Sequence, residues 1–173
     1  MRQIQTEIPT QIMVKQVNTG WVKSSYQFST DGNTMGQLDY AKSYLKKATA
    51  SIDGKEFSIR RTGFWKFYIE ISSTTNQQYN MKLDINWRNK LKITDSEGNP
   101  FVFKTANMWK SRWAWFDRYE RPLIEIKSNN FSWKNRGVID IKYPEMKDCL
   151  FWIMVSWFVI LSAEADASAM AGI

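Results

Sequence analysis

The sequence predicts a mainly β protein: a closed antiparallel barrel of about 12 strands that encloses one hydrophobic C-terminal helix. Three observations predict it. Apolar and polar residues alternate along most of residues 10–143, turn signals separate these runs, and a run of fifteen residues without a charge, 149–163, follows them. Alternation with period two is typical of strands that bury one face, whereas a long uncharged run is typical of a buried or membrane helix.

The clearest predicted strands are MKLDINW, FWKFYIEIS and GVIDIKY. Their apolar residues occupy every second position and are expected to face the core: Met81, Leu83, Ile85 and Trp87 in the first, Trp65, Phe67, Ile69 and Ile71 in the second, and Ile139, Ile141 and Tyr143 in the third. Mostly polar residues stand between them, which predicts a second, solvated face. Antiparallel sheets commonly have one face of each kind.

Turn signals separate the predicted strands. Asp53-Gly54 in SIDGKEFSI predicts a two-residue hairpin, because these residues readily adopt the positive φ of a type I′ turn. LKITDSEGNPFVF predicts a hairpin with a longer loop, and we interpret Gly98 and Gly137 as turn glycines. Residues 38–50 fit a short helix or a strand, and the sequence leaves both open.

The uncharged run predicts a helix from about residue 147 to about residue 165, with Asp148 as its N-cap. The run is apolar on every side, as expected of a helix surrounded by protein or by lipid. A barrel of about 12 strands is too wide for strand side chains alone to fill, and a helix about 22 Å long would fill it. The alternative is a membrane tail anchor, although a span needs roughly 20 predominantly apolar residues.

Composition narrows the class of protein. At 173 residues, we expect a single domain over residues 1–173. The chain has no His, which excludes Ser-His-Asp triads and the commonest metal ligand. Its one cysteine, Cys149, is expected to be buried and inert, in a reducing compartment. The N-terminal MRQIQTEIPTQIMVKQV does not predict a signal peptide, so the expected localisation is cytoplasmic, with peripheral association at a membrane.

The predicted order of elements resembles the tubby C-terminal-like superfamily, which includes phospholipid scramblases and LURP-one-related proteins. The resemblance covers residues 56–165: the strands FWKFYIEIS and MKLDINW, the hairpin WRNKLKITDSEGNPFVFK, the aromatic SRWAWFDRYERPLIEIK and the helix DCLFWIMVSWFVILSA. It implies a barrel around a central helix and a basic surface that binds phosphoinositide headgroups. The chain lacks the Cys-rich and Pro-rich segments of scramblases and an EF-hand-like acidic series, which puts a Ca²⁺ role in doubt.

The net charge of +7 favours anionic partners. The cations that we predict to bind anionic lipid headgroups are Arg60, Arg61, Lys104, Lys110, Arg112, Arg118 and Arg121. Several of them stand near Trp109, Trp113 and Trp115, a mixture that suits a membrane interface. The alternative is that Trp113 and Trp115 point into the core and the cations are only solvated.

We therefore predict a non-enzymatic module that binds anionic phospholipid headgroups, without a cofactor, a metal site or catalytic residues. The alternatives are a tail-anchored membrane protein with a cytosolic β-domain and a protein-interaction scaffold without a lipid role. Asp84, Asp117, Glu120 and Glu125 are the carboxylates that an enzyme would use. A nucleic-acid partner is not expected, because apart from Tyr68 and Tyr79 most aromatic residues share the parity of Ile and Leu.

Overall fold

The computed structural model describes residues 9–41, 46–73, 75, 77–107, 111–129, 135–144 and 146–172. Its elements are β1 (Gln11–Thr19), β2 (Lys23–Thr30), β3 (Asn33–Ala41), β4 (Lys47–Ile52), β5 (Lys55–Thr62), β6 (Phe67–Ser73), a 3₁₀ turn (Gln77–Tyr79), β7 (Met81–Ile85), β8 (Leu91–Thr94), β9 (Pro100–Thr105), β10 (Arg112–Phe116), β11 (Pro122–Ser128), β12 (Gly137–Ile141) and α1 (Cys149–Ala171). The predicted fold class is confirmed.

The strands form one closed barrel in which each strand pairs antiparallel with its neighbours in sequence. Closure comes from β1 and β12, where Gln11 lies opposite Asp140 and Val14 opposite Gly137. A closed sheet has no edge to cover. Because consecutive strands run in opposite directions, the connections alternate between the two ends of the barrel. We call them the odd end, where connections follow odd-numbered strands, and the even end, where connections and α1 follow even-numbered strands.

Alternation along the strands decides what is buried, as predicted. Ile69 and Ile71 of β6 and Trp113 and Trp115 of β10 all point into the core. The prediction was wrong for Trp65, Trp87 and Tyr143, which are exposed, and Tyr143 lies beyond β12, which ends at Ile141. The cause is the length of the sheet: β6 begins at Phe67 and β7 ends at Ile85, the last pair of that ladder, so both tryptophans lie beyond it.

The segment with two interpretations, residues 38–50, is strand where it is described. Tyr40 of β3 lies opposite Ala48 of β4, and both are buried. Residues 42–45 lie outside the described residues. The tyrosine and alanine that suggested a helical face thus meet across a strand pair, because each occupies an inward position in its own strand.

Helix α1 lies inside the barrel. Nearly all its residues from Cys149 to Ser162 are buried. The Trp157 ring packs edge-on against Tyr26 and Phe28, at centroid distances of 6.0 and 6.1 Å, and Phe158 packs against Tyr40 at 5.9 Å. By length and composition α1 would also pass as a membrane span, but most of it is buried inside the protein.

A hydrogen bond joins the buried Ser156 of α1 to the barrel wall. Trp115 Nε1 donates to Ser156 Oγ at 2.7 Å, and this hydroxyl donates to the carbonyl of Trp152 at 2.6 Å. The Ser156 hydroxyl, which lies within the apolar run, therefore has hydrogen-bond partners. A buried hydroxyl without partners would destabilise the fold.

Asp148 is the N-cap residue of α1, as predicted, but each end of the helix differs in detail from the prediction. Asp148 adopts a left-handed conformation (φ 55°) and its side chain makes no capping hydrogen bond, although Trp152 N donates to its carbonyl. A side-chain cap usually requires an extended backbone at that position. At the other end α1 continues to Ala171, beyond the predicted limit of about 165, because EADASAMA is rich in residues with high helix propensity.

Two glycines allow α1 to approach the wall closely. A Cβ on Gly36 would lie 2.2 Å from Met154 Cε, and one on Gly137 would lie 2.7 Å from the Trp157 ring. Gly137 is therefore a strand residue that makes room for Trp157, and its interpretation as a turn glycine was wrong. Gly98, with a φ of 82°, is a turn glycine as predicted.

Candidate functional site

The structure distributes the predicted headgroup-binding cations over the molecule. Arg118 and Arg121 lie in the β10–β11 turn at the even end, where Arg118 donates to Asn99 and Arg121 Nε donates to Asp117 at 3.0 Å. Lys104 on β9 forms an ion pair with Glu120 of the same turn. These three cations thus belong to, or reach toward, the even end.

The other predicted cations that the structure describes, Arg60, Arg61 and Arg112, lie toward the odd end. Arg112 begins β10 and is exposed. Arg60 on β5 is exposed and its Nε donates to Glu70 at 2.8 Å, whereas the Arg61 side chain is only 7% exposed and donates to Asp166 at 2.8 Å. Lys110 lies outside the described residues. The described members of the set therefore do not form one cluster.

Exposed aromatic side chains mark the odd end instead. We call them, with one valine, the aromatic rim: Trp21, Val22, Phe64, Trp65 and Trp87. The exposed fractions of the three tryptophans are 98%, 93% and 76%. They come from the β1–β2, β5–β6 and β7–β8 connections, and the Phe64 and Trp65 rings contact each other at a centroid distance of 5.3 Å.

The aromatic rim was not predicted from the sequence, because the alternation of apolar and polar residues assigned Trp65 and Trp87 to the core. A signal was nevertheless present, since GWV, GFWK and NWRNK each place a tryptophan within a turn. Trp109 and Trp133 fall in the β9–β10 and β11–β12 connections of the sequence and lie outside the described residues. The pattern is thus one tryptophan in each odd-end connection except β3–β4.

Two of the three connections that form the aromatic rim, β5–β6 and β7–β8, also carry cations. Lys66 lies beside Trp65 and forms an exposed ion pair with Asp84 at 3.1 Å, and the Arg88 guanidinium lies over the Trp87 ring, 4.6 Å from its centroid. Lys90 is in the same connection as Arg88. Among the described residues of the odd-end connections, no Asp or Glu is present. This end of the barrel is therefore basic and aromatic.

The even end has the opposite character. Acidic residues stand in most of its connections: Asp31, Asp53, Asp95, Glu97, Asp117, Glu120 and Asp148. Tyr119 is exposed there, whereas the Tyr79 ring stacks on Phe151 at 4.4 Å and so packs against the core rather than facing solvent as predicted. The barrel is thus polarised along its axis: at the even end the acidic residues outnumber the described cations of the connections, Arg118, Arg121, Lys142 and Lys147, whereas the odd end is basic and aromatic.

Ion pairs neutralise the two acidic side chains that α1 brings to the odd end. Glu164 accepts a hydrogen bond from Arg136 Nη2 at 2.8 Å, and Asp166 binds both Lys46 and Arg61. Burial raises the pKa of Glu164, and the charge and hydrogen bond of Arg136 only partly oppose this. Burial also opposes ionisation of Asp166, but Lys46 and Arg61 outweigh it and hold its pKa below the usual value.

A cavity of about 460 Å³ lies at the even end beside the start of α1. Its lining is mainly apolar, with Ile12, Phe57 and Phe151 next to Asp53 and Lys55. Among the described residues, the buried polar atoms without a hydrogen-bond partner all lie elsewhere. The cavity therefore does not specify a ligand.

The remaining candidates for chemistry are occupied by structural contacts. Asp117 accepts backbone hydrogen bonds from Tyr119 and Arg121, both at 2.9 Å. Lys66 pairs with Asp84, Lys104 with Glu120 and Lys142 with Glu125. The described residues hold no group of three or more His, Cys, Asp or Glu side chains placed to bind a metal.

Cys149 is buried, as predicted from its place in the apolar run. Its Sγ donates to the Met146 carbonyl at 2.8 Å. Burial raises the pKa of this thiol to about 11. Because the thiolate is the reactive form, the group is a poor nucleophile near neutral pH.

Comparison of the chain with protein-family models, with curated proteins and with solved structures found no match.

Proposed function

We propose that this protein attaches peripherally to anionic phospholipid membranes through the odd end of its barrel. The observation that carries the proposal is the combination, at one end of the barrel, of an exposed aromatic rim with cations in two of its three connections and without described acidic residues in these connections. The headgroup-binding cations are then Lys66, Arg88, Lys90 and Arg112. Arg118 and Arg121, at the other end, have no part in it.

Two physical contributions act together at this end. Tryptophan prefers the membrane–water interface, where its ring is dehydrated while its N–H still finds partners. Each Lys or Arg near an anionic leaflet contributes about 1 kcal/mol, and this attraction falls off within a Debye length. Aromatic rings and cations at the tips of the same connections reach the headgroup layer simultaneously, which gives reversible attachment. The cytoplasmic leaflet is the natural source of that negative charge.

A membrane surface suits the aromatic rim better than the alternatives do. A nucleic-acid strand is bound along a groove with aromatic platforms in succession, whereas Trp21, Trp65 and Trp87 stand at the tips of separate connections, accompanied by Val22, which offers no ring for stacking. A tail anchor would require α1 to leave the barrel, where Trp157 and Phe158 fill the interior. The experiment must therefore distinguish membrane binding from binding of a protein partner without a lipid role.

The experiment is co-sedimentation of the full chain with vesicles of phosphatidylcholine alone and with added phosphatidylserine. We expect binding only to the anionic vesicles, weakened by salt. The double variant Trp65→Ala, Trp87→Ala should bind about tenfold more weakly, corresponding to about 1.4 kcal/mol of lost interfacial burial. Both residues are exposed, so near-UV circular dichroism should show an intact fold. Tyr119→Ala, an equally exposed aromatic at the even end, is the matched control and should bind normally.

Charge reversal separates the two ends. Arg88→Glu with Lys90→Glu should abolish binding to anionic vesicles, whereas Arg118→Glu should leave it unchanged. Equal losses from both variants, or vesicle binding that ignores phosphatidylserine, would contradict the proposal. A labelled oligonucleotide tested in parallel should not bind. If the protein shifts the mobility of the oligonucleotide in a salt-sensitive way and does not bind vesicles, the partner is a nucleic acid and not a membrane.

A further inference from the structure

The last turn of α1 projects from the odd end. Residues 167–172, which we call the helix tip, are exposed, and Met170 is 77% exposed. The helix rises 1.5 Å per residue, so Ala171 stands about 7 Å beyond Asp166, the last residue held by the barrel. The ion pairs that hold it come from nearly opposite sides of the ring, Arg136 beside β12 and Arg61 on β5. The helix tip therefore rises from the middle of the odd end.

The helix tip carries no charged side chain. Its sequence is ASAMAG, and the acidic residues immediately before it, Glu164 and Asp166, are paired with Arg136 and with Lys46 and Arg61. Its one side-chain hydroxyl is also satisfied, because Ser168 Oγ donates to the Glu164 carbonyl at 2.9 Å. A segment of this kind can leave water without stranding a charge or a hydroxyl.

The carbonyl groups at the end of α1 limit how deeply the helix tip can enter a membrane. The last four C=O groups of a helix have no partner within the helix and need water or another donor. Hydrocarbon supplies none, whereas the headgroup layer supplies water and cationic groups. A helix tip of about 7 Å matches the depth of roughly 5 to 10 Å to which interfacial segments enter a membrane.

We infer that the helix tip is the segment that penetrates the headgroup layer when the odd end meets a membrane, with Met170 as its deepest large side chain. This inference rests on the proposed function and adds to it the element that enters the bilayer. The aromatic rim surrounds the helix tip at the interface, and the central helix of the fold continues into the membrane contact without leaving the barrel.

The test places an environment-sensitive fluorophore on the variant Met170→Cys. The native Cys149 is buried and reacts poorly, and the unsubstituted protein measures its background labelling. On vesicles containing phosphatidylserine, the emission at position 170 should shift to the blue and be quenched by lipids that carry a quencher near the headgroup. Ser96→Cys, exposed in the β8–β9 turn of the even end, is the matched control and should show neither change.

A second variant measures the contribution to binding. Met170→Asp should lower vesicle binding several-fold with an unchanged near-UV spectrum, whereas Ser96→Asp should not lower it. If the protein sediments with vesicles while the probe at position 170 stays unshifted and unquenched, the helix tip does not penetrate, although the proposed function stands. If the unsubstituted protein does not sediment with anionic vesicles, both inferences are overturned.

Discussion

At the scale of single residues, tryptophan has two different positions in this fold. Trp113, Trp115 and Trp157 are fully enclosed, while Trp65 and Trp87 stand in water. Hydrophobicity does not separate the two groups. Alternation directs a side chain into the core only where its residue belongs to a paired strand. Trp65 precedes β6 by two residues, so its side chain is not directed inward. An exposed cluster of this kind is informative, because soluble proteins rarely leave large apolar side chains together at the surface without a binding role.

Gly137 gives a test at this scale. Gly137→Ala should lower the free energy of unfolding by about 1 to 3 kcal/mol, because the added methyl group would lie 2.7 Å from the Trp157 ring and from the Lys127 carbonyl. Urea unfolding measures it. Gly172→Ala is the control, since its Cβ would meet no atom closer than 3.7 Å. Equal stability of the two variants would show that Trp157 moves aside freely.

At the scale of elements, α1 is held in two ways along its length. Its first two-thirds are held by packing, with rings such as Trp157 and Phe158 against the strands. Near the odd end the contacts become ionic, through Glu164 and Asp166. These ion pairs fix the position of α1 along the barrel axis. They thereby set how far the helix tip projects.

Asp166 makes the ionic part testable by pH. Its folded-state pKa is depressed, because Lys46 and Arg61 outweigh the opposing effect of burial. A group of this kind contributes stability above its unfolded pKa, near 4, and that contribution is lost as the pH falls through the lower folded value. Asp166→Asn should therefore show a shallower loss of stability than the unsubstituted protein between about pH 5 and about pH 2.5. Urea unfolding at each pH measures the difference.

The control for this prediction is Asp31→Asn, in an exposed turn at the even end. It should leave the pH dependence unchanged, because Asp31 forms no ion pair with another described residue, whereas Asp166 pairs with Lys46 and Arg61. Parallel curves for Asp166→Asn and the unsubstituted protein would show that the ion pairs with Lys46 and Arg61 do not stabilise the folded state.

At the scale of the whole molecule, the barrel and α1 form one cooperative unit, because the helix supplies the interior of the sheet. Phe158→Asp should unfold the entire barrel: a charge enclosed without a partner costs several kcal/mol, against a typical total stability of roughly 5 to 15 kcal/mol. Near-UV circular dichroism measures the loss. Phe64→Asp, at the exposed odd end, should stay folded. A folded barrel carrying Phe158→Asp would mean that α1 is dispensable to the core, as in a tail anchor.

The whole molecule also has a polarity that belongs to no single element. Most connections after odd-numbered strands carry a tryptophan, and several of them carry Lys or Arg, whereas most connections after even-numbered strands carry Asp or Glu with turn residues. Successive connections alternate in character along the chain, and closure of the barrel collects them into two opposite ends. The predicted cation set crossed this division, since Arg112 lies at one end and Arg118 at the other.

The sequence alone determined the fold class, most of the strands with their inward faces and the single apolar helix, because alternation and continuous apolarity are local patterns. It left open whether protein or lipid surrounds that helix and whether residues 38–50 form a helix or a strand. It did not determine where strands stop, so Trp65 and Trp87 were assigned to the core, nor where Gly137 would meet Trp157. The tertiary structure decided these, together with the gathering of the aromatic rim and the helix tip at one end. That end is assembled from connections distant in the chain, and their meeting depends on barrel closure and on the parity of every strand.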